Sequence, residues 1–191
     1  MELKQNSNRC VILLHEIYGV NDHLQHYATF MYDHGFDVYV PNLLAKSTAY
    51  SYEEEDLAYE NFMANVGFDR AQQQVNAFIN QLAKKYQHIR IIGFSVGATI
   101  GWLCSENPFV HKVIGLYGSR IRQYTELTPR AEVRLFYGDK EKSFDPQQLK
   151  ISLSKHANVV VTIVEGEHGF ADPYSQKYNK CTTDGLVDYL V

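Results

Sequence analysis

Cysteine is scarce in this sequence, with three residues among 191. Cys10, Cys104 and Cys181 are odd in number and far apart, and no two of them form a C-x-x-C pair. This spacing excludes a disulfide framework and a zinc knot from the expected architecture. We therefore expect reduced thiols in a cytoplasmic protein.

Long apolar runs and an excess of positive charge are also missing. No run approaches the roughly 20 apolar residues that cross a bilayer, and the start, MELKQN, lacks the apolar stretch of a signal peptide. The formal net charge of -4 gives no electrostatic basis for binding nucleic acid or an anionic membrane. Without repeats or low-complexity tracts, the chain predicts one domain, residues 1–191, with a sizeable core.

Short β-branched runs alternate with amphipathic stretches along the chain. They predict strands at 10–14, 36–40, 89–92, 112–117, 132–137 and 158–164, and helices at 23–33, 66–86, 98–106, 146–155 and 174–190. Residues 41–60 are predicted to be irregular, with an acidic cluster at 53–56 that is a solvated face, a helix N-terminus or a pocket wall. This alternation predicts an α/β three-layer sandwich with a mostly parallel sheet, whose ligand site lies beyond the carboxyl ends of the strands.

The segment Gly-Phe-Ser-Val-Gly at 93–97 stands between a predicted strand and a predicted helix. G-x-S-x-G in that context is the pattern of a nucleophile elbow, in which a strained turn projects the serine hydroxyl from the sheet. The turn also places the backbone N–H of Val96 at a helix N-terminus, where it can face a developing oxyanion. The pattern predicts Ser95 as a nucleophile, with an unreactive serine in a plain turn as the alternative.

A serine hydroxyl needs a base to take its proton, and in this fold the base follows the serine and an acid along the chain. His168 lies in Glu-Gly-Glu-His-Gly-Phe after the last predicted strand, so it is the predicted base. His15 precedes the serine and is predicted to be a structural or pocket residue. The remaining histidines are predicted to lie at the surface, namely His23, His26, His34, His88, His111 and His156.

Three carboxylates compete for the role of the acid that orients the histidine. Asp139, Glu141 and Asp145 all follow the strand predicted at 132–137. Asp145 precedes a proline at a helix start, so it is better explained as an N-cap. The residues alone do not decide whether Asp139 or Glu141 is the acid.

These segments resemble the dienelactone hydrolase family of α/β hydrolases from about residue 10 to the C-terminus. E-I-Y-G-V-N at 16–21 is similar to the family's E-I-F-G-V-N loop, G-F-S-V-G-A at 93–98 to its elbow, and H-G-F at 168–170 to its histidine loop. The resemblance implies an α/β-hydrolase fold, and the cap is expected to be minimal or absent because residues 119–131 are the only candidate and are short. It also implies Ser95 as nucleophile, Glu141 as acid, His168 as base, Ile17 and Val96 as oxyanion donors, and Glu16 as a contact of the resting nucleophile.

The sequence departs from the family pattern at several functional positions. Serine replaces the family's usual cysteine at Ser95, and Glu141 replaces an aspartate. Asp172 stands where the family has an arginine that grips a substrate carboxylate. Arg120 and Arg122 are candidates to meet an anionic substrate, with ordinary surface arginines as the alternative.

Together these features predict a serine hydrolase that cleaves small carboxylic esters, lactones or thioesters through an acyl-enzyme. The pocket is expected to be accessible, with Glu16, Tyr18 and Arg120 as further lining residues. His15 and His23 lack the spacing of a zinc helix, so neither a metal nor another cofactor is predicted. The expected partner is the small-molecule substrate, and the protein is expected to be a monomer or small homo-oligomer. The alternative is a catalytically weak or inactive α/β-hydrolase domain that serves as a small-molecule or protein binding module.

Overall fold

The computed structural model describes residues 1–191 and contains one seven-stranded sheet. Its strands are β1 (Glu2–Leu3), β2 (Arg9–Leu14), β3 (Asp37–Tyr39), β4 (His88–Phe94), β5 (Val110–Leu116), β6 (Glu132–Gly138) and β7 (Val159–Val164). Their spatial order is β1-β3-β2-β4-β5-β6-β7. Only β1 runs antiparallel to its neighbour, so the predicted mostly parallel sheet is confirmed.

The central strands are buried on both faces, which explains why they are continuous apolar runs rather than alternating ones. One face of the sheet packs into a cluster of 32 buried apolar residues and the other into a cluster of 19. These two layers flank the sheet and confirm the predicted three-layer sandwich.

The chain forms seven α-helices, of which five lie between strands and the last two follow β7. They are α1 (Asp22–Asp33), α2 (Glu55–Asn61), α3 (Phe68–Leu82), α4 (Val96–Leu103), α5 (Pro146–Leu153), α6 (Lys180–Asp184) and α7 (Val187–Leu190). The predicted cap of α5 is confirmed, because the side chain of Asp145 accepts a hydrogen bond from the backbone N–H of Gln147 at 2.8 Å. No helix has both the length and the apolar character to cross a membrane.

Two segments differ from the sequence prediction. Residues 41–60 were expected to be irregular, but a 3₁₀ turn (Tyr52–Glu54) leads into α2 and then into a π-helical turn (Phe62–Val66). The backbone N–H of Ser51 donates to Glu54, so this helical segment begins in a capping box inside the acidic cluster.

The predicted helix at 174–190 is also wrong in its first part. Only the short α6 and α7 form there, separated at Gly185 and Leu186. The side chains of Asp172 and Ser175 accept hydrogen bonds from the backbone N–H groups of Tyr174 and Lys177. Such local bonds offer the backbone an alternative to a helix, and hydrophobic periodicity does not reveal them.

Candidate active site

The serine of the predicted elbow lies in the sharp turn that joins β4 to α4. Ser95 has a φ of 51° and a ψ of -113°, a conformation that non-glycine residues seldom adopt. A Cβ atom on Gly93 would lie 2.3 Å from the carbonyl oxygen of Gly97, and one on Gly97 would lie 2.2 Å from that of Leu14. The two glycines of the motif are therefore required by close packing of backbone against backbone.

Three predicted side chains form one hydrogen-bonded chain at this turn. The Oγ atom of Ser95 lies 3.0 Å from Nε2 of His168. The other ring nitrogen, Nδ1, lies 3.2 and 3.1 Å from the two carboxylate oxygens of Glu141. Because a carboxylate can only accept, Nδ1 carries the proton of a neutral ring, and Nε2 is free to accept the hydrogen of the serine.

The competing carboxylates have other contacts. Asp139 accepts a hydrogen bond from the backbone N–H of Gly166 at 2.9 Å, which ties the end of β6 to the loop that carries the histidine. Asp145 caps α5. Among the three candidates, only the Glu141 side chain contacts His168, and it is 1% exposed.

The predicted oxyanion donors border the same pocket as the serine. Val96 is the first residue of α4, so its N–H has no acceptor one turn earlier in the helix. The N–H of Ile17 donates to no backbone carbonyl. Neither N–H group therefore has a hydrogen-bond acceptor within the protein.

The pocket has a volume of about 350 Å³ and is bordered by every site residue that the sequence predicted. Those residues are Glu16, Ile17, Tyr18, Ser95, Val96, Arg120, Glu141 and His168. Glu55 of the acidic cluster lines the pocket together with the flanking Tyr52 and Tyr59, and the cluster also stands at the start of a helical segment, so both of these interpretations agree with the structure. Sequence reasoning did not single out Thr99, Lys140, Lys142 and Lys177, which also line the pocket; Lys140 stands beside the predicted acid, and the other three belong to no recognised motif.

The two arginines after β5 are half-buried at the pocket rather than free at the surface. Arg120 donates to the hydroxyl of Tyr59, and Arg122 donates to the backbone carbonyl of Ser119. Arg120 therefore links the turn after β5 to α2 on another side of the pocket.

Glu16 carries an unusual carboxyl group. It is 6% exposed, and its Oε1 atom is buried with no hydrogen-bond partner. Burial raises the pKa of this carboxyl from 4.5 to about 7, the nearby charge of Asp172 acts in the same direction, and the charge of His168 opposes both. An ionised carboxylate in this position is costly to the folded state.

This cost predicts a pH-dependent effect of Glu16→Gln on stability. The folded state holds a proton on Glu16 between pH 4.5 and about 7 that the unfolded chain releases, so stability is lost as the pH rises through this range. Above pH 7 the glutamine variant should gain at most about 3 kcal/mol in free energy of unfolding relative to the wild type. We expect the variant to melt several degrees higher than the wild type at pH 8.5 and at nearly the same temperature at pH 5. An equal difference at both pH values would contradict a buried charge.

Two further histidines are buried near the site. His15 was predicted to be structural, and its ring bridges two loops: Nδ1 lies 2.5 Å from the carbonyl oxygen of Glu16, and Nε2 accepts from the N–H of Leu43 at 2.9 Å. His23 was predicted to lie at the surface, which is wrong, because it is fully buried against Phe94. The sequence places His23 on an amphipathic helix, but it does not show whether the side chain lies within the buried face of that helix or at the edge of it.

Asp172 is also buried, at 1% exposure. Its Oδ2 accepts a hydrogen bond from the hydroxyl of Tyr52 at 2.6 Å, and its Oδ1 accepts one from the N–H of Tyr174. The Tyr52 bond joins the start of the α2 segment to the loop that carries His168. Burial raises the pKa of Asp172, and these hydrogen bonds oppose the increase.

The fold and this strand-end site define a hydrolase of the α/β-hydrolase class, and the comparisons with known proteins agree. The sequence profile of the dienelactone hydrolase family matches residues 2–186. The chain belongs to the dienelactone hydrolase family, as its motifs indicated.

Individual relatives extend this result. YczH of Bacillus subtilis (strain 168) is 40% identical over 172 residues, which cover 89% of this chain and 84% of that protein. A Klebsiella pneumoniae protein described as a dienelactone hydrolase aligns with a TM-score of 0.81 at 17% identity, over 98% of this chain and 87% of its own. A cold-adapted esterase from an Arctic intertidal metagenomic library aligns with a TM-score of 0.63 at 14% identity, over 98% of this chain and 84% of its own. At such identities, the structural similarities establish the fold.

Proposed function

We propose that this protein is a serine hydrolase that cleaves small carboxylic esters, lactones or thioesters through an acyl-enzyme on Ser95. The observation that carries the proposal is the continuous chain of hydrogen bonds from Ser95 Oγ through His168 to Glu141, at the floor of a pocket. A hydroxyl, an imidazole and a buried carboxylate in this order are the groups that acyl transfer requires.

In the proposed reaction, Nε2 of His168 takes the proton from Ser95 as Oγ attacks the carbonyl carbon. The negative charge of Glu141 stabilises the imidazolium that forms, and the N–H groups of Ile17 and Val96 stabilise the oxyanion. The imidazolium then gives its proton to the leaving group. A water molecule, activated by the same ring, releases the acid and regenerates the serine.

The dimensions of the pocket support small substrates. Its volume of about 350 Å³ lies at the lower end of ligand sites. The turn after β5 is a short 3₁₀ helix (Ser119–Gln123), and no large cap is inserted there. We propose a monomer or small homo-oligomer that acts on such substrates as one domain.

This proposal predicts a dependence of hydrolysis on acyl-chain length. We expect 4-nitrophenyl acetate and butyrate to be hydrolysed at least tenfold more efficiently, in kcat/KM, than the decanoate, because the longer chain exceeds the pocket. The measurement is release of 4-nitrophenol against a buffer blank. Absence of turnover for all three esters, with the protein folded, would favour a small-molecule binding module instead.

A further inference from the structure

Buried carboxylates in this protein fall into two groups. Asp37 and the side chain of Glu141 each lie beside a partner that carries or can take a positive charge: Lys85 Nζ is 3.4 Å from Asp37, and the ring of His168 contacts Glu141. Glu16 and Asp172 are equally buried, but no lysine or arginine nitrogen lies within 4 Å of either carboxylate. A buried, ionised carboxylate without a cation is costly, so such a group normally either has a cation beside it or keeps its proton to a higher pH.

The nearest basic side chain does not supply that charge. His23 Nδ1 lies 3.6 Å from Asp172, but burial lowers the pKa of this histidine to about 3, so the ring is neutral at physiological pH. Lys177 borders the pocket, but it is exposed and forms no ion pair with Glu16 or Asp172. No basic side chain therefore forms an ion pair with Glu16, and only the neutral ring of His23 lies near Asp172; Glu16 gains its negative charge as the pH rises through about 7.

The order of the strands separates these carboxylates from most basic side chains of the pocket. Glu16 and Tyr18 follow β2, and Tyr52 follows β3, on one side of the elbow after β4. The basic residues Arg120, Arg122, Lys140 and Lys142 follow β5 and β6, on the other side, and Arg120 reaches across to the hydroxyl of Tyr59 on α2. Asp172 joins the first side through its bond to Tyr52.

Two aromatic rings lie on the same side of the pocket as Glu16 and Asp172. Tyr18 and Tyr52 both line the pocket and pack edge to face with their ring centroids 4.9 Å apart. Aromatic faces attract cations, and the carboxyl of Glu16 has an atom that lacks a hydrogen-bond donor. Both features suit a ligand that carries a positive charge and an N–H group.

We propose that Glu16, Asp172, Tyr18 and Tyr52 form a subsite for a protonated ammonium group of the substrate. The subsite borders the same pocket as Ser95, so it rests on the proposed hydrolase function and specifies its substrates as cationic esters. An anionic group on this side would meet two buried carboxylates and is disfavoured.

The test compares two isosteric esters that differ in charge. At pH 7.5, above the pKa of Glu16, 2-(dimethylamino)ethyl butyrate is still mostly protonated, whereas 3-methylbutyl butyrate has the same shape and no charge. The ratio of their kcat/KM values is measured by titration of the released acid, for the wild type and for Asp172→Asn. Intrinsic reactivity cancels when the ratios are compared, so we expect the ratio to fall about tenfold in the variant.

Asp56→Asn is the matched control, since Asp56 is exposed on α2 and does not border the pocket. It removes the same charge from the protein and should leave the ratio within twofold. An equal fall in both variants would indicate only the general field of the protein and would overturn the subsite. An unchanged ratio in Asp172→Asn would also overturn it.

A second measurement needs neither turnover nor a variant of Asp172. Binding of the two alcohols, 2-(dimethylamino)ethanol and 3-methylbutanol, is measured on Ser95→Ala by ligand-observed NMR. We expect the cationic alcohol to bind at least fivefold more tightly, and equal or reversed affinities would refute the subsite. Preference for the cation without any ester turnover in the wild type would refute the hydrolase function alone, and turnover without preference would refute the subsite alone.

Discussion

Replacing Ser95 with alanine is expected to lower kcat/KM for 4-nitrophenyl acetate by about 10⁴-fold or more. The alanine removes the oxygen on which the proposed acyl-enzyme forms, while the pocket and the proposed oxyanion donors stay in place. Any residual rate should come from water in the pocket. The measurement is steady-state release of 4-nitrophenol by the purified wild type and variant. Their melting temperatures are compared to verify that both proteins are folded.

Ser143→Ala is the matched control for this variant. Ser143 is exposed and borders the same pocket, but its hydroxyl makes no contact with His168. We expect its activity to stay within twofold of the wild type. A Ser95→Ala protein that kept more than a tenth of the wild-type activity would show that the reaction does not pass through this hydroxyl.

Glu141→Gln is expected to produce the second largest loss, about 10³-fold or more in kcat. The glutamine keeps the size of the side chain but removes the charge that stabilises the imidazolium. Its amide can also donate to Nδ1 of His168, which would favour the tautomer that cannot accept the proton of Ser95. The loss should appear mainly in kcat, because Glu141 acts on the histidine rather than on the bound substrate.

Asp139→Asn separates this role from a structural one. Asp139 lies two residues away and holds the N–H of Gly166, so its amide variant should reduce activity less than tenfold and lower the melting temperature. Equal losses in the two variants, or a larger loss for Asp139→Asn, would reject Glu141 as the acid.

The elbow and the histidine loop could be predicted because each depends on local constraints. Gly93 and Gly97 are required because a Cβ atom at either position would clash with the neighbouring backbone. The two glycines of the motif therefore indicate the tight turn directly from the sequence. The alternation of strands and helices fixes which loops meet at one sheet edge. Ser95, His168 and the candidate acids could therefore be identified from the sequence alone.

Other features depend on contacts between distant segments. The residues alone could not choose between Asp139 and Glu141, because the choice depends on which side chain turns toward His168. Tyr52 and Asp172 are 120 positions apart, and no local pattern indicates their hydrogen bond. The burial of His23 likewise follows from how α1 packs on the sheet.

Labelling with a fluorophosphonate tests the central claim most directly. The folded protein is incubated with the probe and the modified residue is identified by peptide mass spectrometry. We expect one phosphonyl group on Ser95, with labelling strongly reduced in His168→Ala. A folded wild-type protein that stays unlabelled, or that is labelled on another residue, would contradict the account of Ser95 as an activated nucleophile.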